Sequence, residues 1–181
     1  MSDISIKIKE HKEINKDLLE IDDEDRDGNC FYRTLSLYFT KDETHYSFFR
    51  EQIYIASKNN LNELKEFFIE DKNDPILANN KIEAYIEQIK ENKFFAEVVE
   101  IYIAAKIFNI IIAVYEQLKF NSDFTPYSIF HPDSQADDYL LVNFENRNHY
   151  NLLSIRGKNK DKNIIENKYN DIDQKQVNLF K

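Results

Sequence analysis

The chain is poor in the residues that staple, break or bend a polypeptide. Among 181 residues there is one cysteine, Cys30, two glycines, three prolines and no tryptophan. One cysteine excludes an intrachain disulfide and an all-cysteine metal site, and nothing demands an oxidising compartment. Long apolar runs are missing too. Met1 to Lys16 alternates apolar with charged residues and holds no signal-like apolar core. The most apolar stretch, Ile101 to Tyr115, is interrupted by Lys106 and Asn109 and is too short to span a bilayer. A membrane span is therefore not expected, and a cytoplasmic or nuclear location is. Basic excess is the third absence: the formal net charge is −9, which argues against nucleic acid as a partner.

What the chain does have is a core. Hydrophobic residues make up 42% and aromatics 14%, with 14 Phe and 11 Tyr, enough for one domain. Residues 156–181 differ in character. They are rich in Lys, Asn and Asp and carry +3, which leaves 1–155 at −12. The expected organisation is a domain over 1–155 followed by a charged flexible tail with a marginal helix near Ile164–Tyr169.

Hydrophobic spacing orders the elements. Ile4, Ile6 and Ile8 alternate with polar residues, as in a strand or a frayed arm, and Glu10–Ile21 reads as a weak amphipathic helix. An acidic loop follows, from Asp22 to Asp27. Helices are expected over Asn29–Phe39, Tyr46–Lys58 with Thr44 as N-cap, Leu61–Ile69, Asn79–Glu91 and Phe94–Phe108. Strands are expected at Ile110–Tyr115, at Phe124–Phe130, which Pro126 weakens, and at Tyr139–Phe144. His149–Ile155 returns from the turn 145–148 as an antiparallel hairpin. Helices first and strands later point to an α+β fold.

The stretch richest in chemistry is Asp27-Gly28-Asn29-Cys30-Phe31-Tyr32-Arg33. Turn-forming residues give way there to Phe31, Leu35 and Tyr38 at helical spacing, so Cys30 sits where a loop becomes a helix. Unpaired N–H groups and the helix dipole favour a thiolate at that position. A lone cysteine is by default a small buried hydrophobe, and the lead-in sets this one apart. A nucleophile also needs a base. His11, His45 and His131 lie in no pattern that suggests chemistry. His149 opens a strand, and Asn151, two residues on, shares its face. Asn151 is placed to orient the imidazole and fix its tautomer. Cysteine, histidine and asparagine follow one another in papain-like order.

At these residues the chain resembles the ovarian-tumour (OTU) family of cysteine proteases: Asp27 to Arg33 is similar to its cysteine motif, and His149-Tyr150-Asn151 to its histidine motif. The resemblance spans roughly residues 20–155. It implies a papain-like fold, a small, mostly antiparallel sheet packed between helices, with the nucleophile at a helix N-terminus. It also implies hydrolysis of isopeptide or peptide bonds after the C-terminal glycine of ubiquitin or a ubiquitin-like protein. By the match, Cys30 is the nucleophile, His149 the general base and acid, and Asn151 its orienter. Asp27 supports the oxyanion loop or shares the orienting role. Backbone N–H groups of Gly28, Asn29 and Cys30 receive the oxyanion, and no cofactor or metal is required. The family's Trp-Gly-Gly-like segment is replaced by Asn92-Lys93-Phe94-Phe95-Ala96-Glu97, with Phe94 or Phe95 in the aromatic place. Two other readings are a catalytically silent ubiquitin-binding module and a thiol protease acting on another modifier or a polyprotein.

Overall fold

The computed structural model describes residues 3–23, 25–71 and 75–157. Six α-helices are present among them: α1 Asp3–Lys9, α2 Cys30–Thr40, α3 Tyr46–Asn59, α4 Leu61–Leu64, α5 Pro75–Ile89 and α6 Val98–Phe108. The strands are β1 Leu19–Asp22, β2 Ile111–Gln117, β3 Phe124–Phe130, β4 Tyr139–Glu145 and β5 His149–Ile155. They form one sheet in the order β1-β5-β4-β2-β3. β2 and β4 run parallel and every other pair is antiparallel. No helix among the described residues is long and apolar enough to cross a membrane.

Strand alternation divides the core between the two faces of this sheet. Ile112 and Val114 of β2, Leu140 and Val142 of β4, and Tyr150 and Leu152 of β5 face the larger cluster, which includes Phe31, Phe39, Phe49 and Phe108. Ala113, Tyr115, Leu141 and Leu153 face a smaller cluster with Ile4, Ile8 and Ile14. The sheet is thus sandwiched, with α1 on one side and the main helical layer on the other. Phe39 stacks on Phe49 at 5.7 Å between ring centroids and meets Phe108 at 5.3 Å, locking α2, α3 and α6 together.

Thr44 is not the N-cap of α3; it lies in a 3-10 turn over Glu43–His45 that Asp42 caps, and His45 precedes the helix. Three larger expectations change. Ile4, Ile6 and Ile8 belong to helix α1, not to a strand or arm. Ile4 and Ile8, four apart, are buried, while Ile6 is 43% exposed, so tertiary packing selects the 3.6 period over the period of two. Glu10–Ile21 is not a helix. His11 takes a positive φ of 47°, Ile14 bridges to Phe124, a 3-10 turn spans Lys16–Leu18, and β1 follows. The Asn15 side chain caps that turn by accepting from Asp17 N–H at 2.8 Å. β1 exists because β5 offers it an edge, which local periodicity cannot show. The helix expected over Phe94–Phe108 begins at Val98, because 91–97 is drawn into the site described below.

Pro126 lies in an edge strand opposite a register shift at Val114/Tyr115, where a missing N–H is tolerated. Residues 158–181, which include most of the expected tail and its marginal helix, lie outside the described residues, as does most of the expected loop Asp71–Pro75. Arg156 is docked: its N–H donates to Leu18 O at 2.9 Å and its guanidinium to Leu19 O at 3.1 Å.

Candidate active site

Cys30 opens α2, and Asn29 precedes it. The Asn29 side chain does not cap the helix; it serves as the hub of the preceding loop. Its Nδ2 donates to Asp27 Oδ2 at 3.0 Å and to Asn92 Oδ1 at 2.9 Å. Its Oδ1 accepts from Arg50 at 2.7 Å and from Lys93 N–H at 3.3 Å. Gly28 lies so close to the 91–97 loop that a Cβ there would stand 1.6 Å from Lys93 O. Any side chain at 28 therefore displaces backbone. Lys93 itself adopts a positive φ of 70°, unusual for a residue other than glycine.

Asp27 closes the same loop from below. Its Oδ1 accepts from Asn29 N–H at 2.9 Å, and its Oδ2 accepts from the Arg33 guanidinium at 3.2 Å. Burial disfavours the carboxylate's charge, but hydrogen bonds from Arg33 and Asn29 together outweigh it and hold its pKa below the ordinary value. Of the N–H groups expected to receive an oxyanion, that of Asn29 is thus engaged by Asp27, and that of Cys30 is directed at Asp27 O at 3.2 Å.

Arg50 is the residue that sequence reasoning missed. It is 5% exposed, on α3. Its guanidinium donates to Ile89 O at 2.7 Å, Gly28 O at 2.9 Å and Phe94 O at 3.0 Å besides Asn29, and it lies 3.9 Å from the Tyr32 ring centroid. A fork of N–H donors suits this convergence of carbonyls. The available signal was a cation on the buried face shared by Ile53 and Ser57, at i+3 and i+7.

The histidine arrives from the other end of the chain. β4 and β5 pair Glu145 with His149 across a loop in which Asn146 and Arg147 take positive φ. Tyr150 N–H, one residue past His149, donates to Cys30 Sγ at 3.4 Å. Folding has thus set the early thiol against the late histidine strand. Tyr150 is held by stacking on Phe144 at 4.6 Å and on Phe95 at 5.3 Å. Arg26, Asp27, Gly28, Lys93, Phe95, Asn148 and His149 line a cleft of about 410 Å³, so Phe95 is the aromatic that reaches it. Cys30 itself is 1% exposed.

Around His149 the groups are less closely joined. Its side chain is 4% exposed, and among the described residues Nε2 has no hydrogen-bond partner. Asp23 Oδ1 stands 3.7 Å from that nitrogen. Asn151 Nδ2 donates to Glu145 Oε2 at 3.2 Å, and the same oxygen accepts from Arg26 at 2.7 Å. The bond from Arg26 lowers the Glu145 pKa. Asp23, Glu145 and His149 place ligand-type atoms within 4.8 Å of one another. Glu145 is already engaged by a guanidinium, which disfavours a cation beside it.

A family model described as OTU-like cysteine protease matches residues 25–150. No curated protein sequence matches the chain significantly. Among solved structures, the viral OTU domain protease from Dera Ghazi Khan virus superposes with a TM-score of 0.64 at 17% identity, covering 80% of this chain and 86% of that one. The OTUD1 OTU domain gives 0.60 at 17% identity, covering 83% and 97%. The Hazara virus OTU bound to ubiquitin gives 0.57 at 15% identity, covering 79% and 86%. At these identities the likeness establishes the fold.

Proposed function

The chain belongs to the OTU-like cysteine protease family, and on that premise we propose that it is a thiol-dependent deubiquitinase. The observation that carries this reading is the contact of Cys30 Sγ with Tyr150 N–H at 3.4 Å, which seats the sulfur beside the backbone of His149. In this mechanism His149 takes the Cys30 proton. The thiolate attacks the carbonyl of the C-terminal glycine of ubiquitin, and His149 returns the proton to the departing lysine amine. It then activates water to hydrolyse the thioester. Gly28 offers its N–H to the oxyanion, from a loop that Asp27 fixes by holding the N–H groups of Asn29 and Cys30. A two-glycine tail suits the cleft beside Gly28 and Phe95. The mechanism draws on side chains and backbone of this chain alone. A solvated setting in the cytoplasm or nucleus suits it.

The test is hydrolysis of a fluorogenic ubiquitin C-terminal amide and of ubiquitin dimers. Wild type should turn over and Cys30→Ala should lose on the order of a millionfold. Equal rates for the two proteins would reject the reading. The 1% exposure of Cys30 favours a second reading, a ubiquitin-binding module that does not cleave. Measured ubiquitin binding without cleavage of any dimer would select it. Substrates built on other ubiquitin-like tails separate the remaining reading, a protease for a different modifier.

A further inference from the structure

The histidine has an unmet requirement. For Nδ1 to take the thiol's proton, the neutral ring must carry its own proton on Nε2. After the transfer both nitrogens are donors. Nε2 is buried and, among the described residues, has no hydrogen-bond partner. Leaving a buried donor unsatisfied is costly, more so when it is charged. An acceptor must be within reach, and the nearby carboxylates differ in what already holds them. Asp27 is bound by Asn29 and Arg33. Glu145 is bound by Arg26 and Asn151. Asp25 lies 3.7 Å from Arg33. Asp23 has His149 as its ion-pair neighbour, at 3.7 Å.

The fold places Asp23 there. β1 pairs with β5 up to Asp22 opposite Leu152, and Asp22 Oδ2 accepts from Ser154 Oγ at 2.6 Å. The next residue therefore leaves the sheet beside the start of the histidine strand. The Asp23 side chain is 69% exposed and has room to rotate. Closing 3.7 Å to a charge-assisted bond of about 2.8 Å needs roughly 1 Å of movement.

We propose that Asp23 is a positioning residue whose carboxylate closes onto Nε2–H of His149, fixing the reactive tautomer and holding the imidazolium opposite the Cys30 thiolate. The proposal rests on the catalytic reading above. Asp23, not Asp27, is then the acidic partner of the histidine. Asn151 Nδ2 donates to Glu145. The proton balance is simple: it leaves Sγ, arrives at Nδ1, and the Nε2 proton stays in place, shared with Asp23. The charged groups around the ring are Asp23 from the loop after β1, Glu145 from β4 with Arg26 upon it, Cys30 from α2 and Lys93 across the cleft.

The experiment compares Asp23→Asn, Asp23→Glu and Asp25→Asn in the full chain. For a ubiquitin C-terminal amide, Asp23→Asn should lower kcat roughly tenfold or more with KM unchanged. The alkaline fall of the pH–rate profile should move to lower pH, since the imidazolium loses an anionic neighbour. Asp23→Glu should restore most of both. Asp25→Asn, with the same loss of charge one turn of loop away, should move neither. A wild-type profile for Asp23→Asn, or equal shifts in the two Asn variants, would overturn the proposal. Failure of the catalytic reading is separable. If wild type hydrolyses nothing, ¹⁵N spectra of the His149 ring still decide: the Nε2-protonated tautomer should dominate in wild type and lose population in Asp23→Asn. Identical ring spectra would overturn the proposal.

Discussion

The two halves of the candidate site are built differently. On the cysteine side, Asn29, Asp27, Arg50, the Asn92 side chain and the backbone of Lys93 and Phe94 form a hydrogen-bond web, and Gly28 is pressed against Lys93. On the histidine side, the ring is buried, and among the described residues one nitrogen has no hydrogen-bond partner and the nearest carboxylate stops at 3.7 Å. An oxyanion loop has to be rigid before the substrate arrives, because donors that must reorganise stabilise a transition state less. A base that changes charge during the cycle is served by a partner that can approach and recede. The cysteine loop is preorganised, and the histidine pocket is adjustable.

The comparison breaks first at Gly28. Gly28→Ala should cost a hundredfold or more in kcat/KM, since its Cβ would overlap Lys93 O. Near-wild-type turnover would show that the loop is not rigid. Arg50→Met should come next. It removes donors from Ile89 O, Gly28 O, Phe94 O and Asn29 Oδ1. A loss of roughly 3 kcal/mol or more is expected, read as a drop in Tm on the order of ten degrees. A matching loss for Asp23→Asn would erase the contrast, because the histidine side should affect kcat and leave Tm in place.

The last prediction concerns pH and the packing beneath the cysteine side. Burial pushes the Glu100 carboxyl up to about 7, against bonds from Tyr85 and the 97 backbone that favour its charge. The folded state therefore keeps a proton that the unfolded chain releases near the ordinary carboxylate value. This contribution to stability is full at acid pH, falls between about 4.5 and 7, and is flat above. Asp27, with its lowered pKa, acts in the opposite direction, adding stability that is lost as pH falls. Urea unfolding of Glu100→Gln from pH 4.5 to 8 should show the first slope removed. An unchanged slope would contradict the assignment.

Much of this was legible in the sequence, because the features concerned are local. The turn residues before Cys30 and the helical spacing of Phe31 and Leu35 fix the helix start. The apolar run Tyr139–Phe144 and the polar turn after it fix the hairpin that delivers His149. What could not be read depends on partners distant in the chain. β1 is a strand because β5 lies beside it, although Ile14, Leu18 and Ile21 are spaced for a helix. The helix before Phe108 is shorter than its apolar run because Gly28 and Asn29 capture Lys93. Asp27 was recognisable as important by its place before the cysteine, yet it serves the loop through Asn29 and Arg33. Arg50 and Asp23 lie 20 residues after and 7 before Cys30, in no motif, and only the folded packing gives them neighbours.

The most direct measurement is the reaction of the purified chain with ubiquitin bearing a C-terminal electrophile, followed by intact-mass and peptide mapping. A covalent adduct of one ubiquitin on Cys30, lost in His149→Ala and impossible in Cys30→Ala, is the predicted result. Wild-type protein that forms no adduct, while binding ubiquitin in the same sample, would contradict a catalytic cysteine–histidine pair.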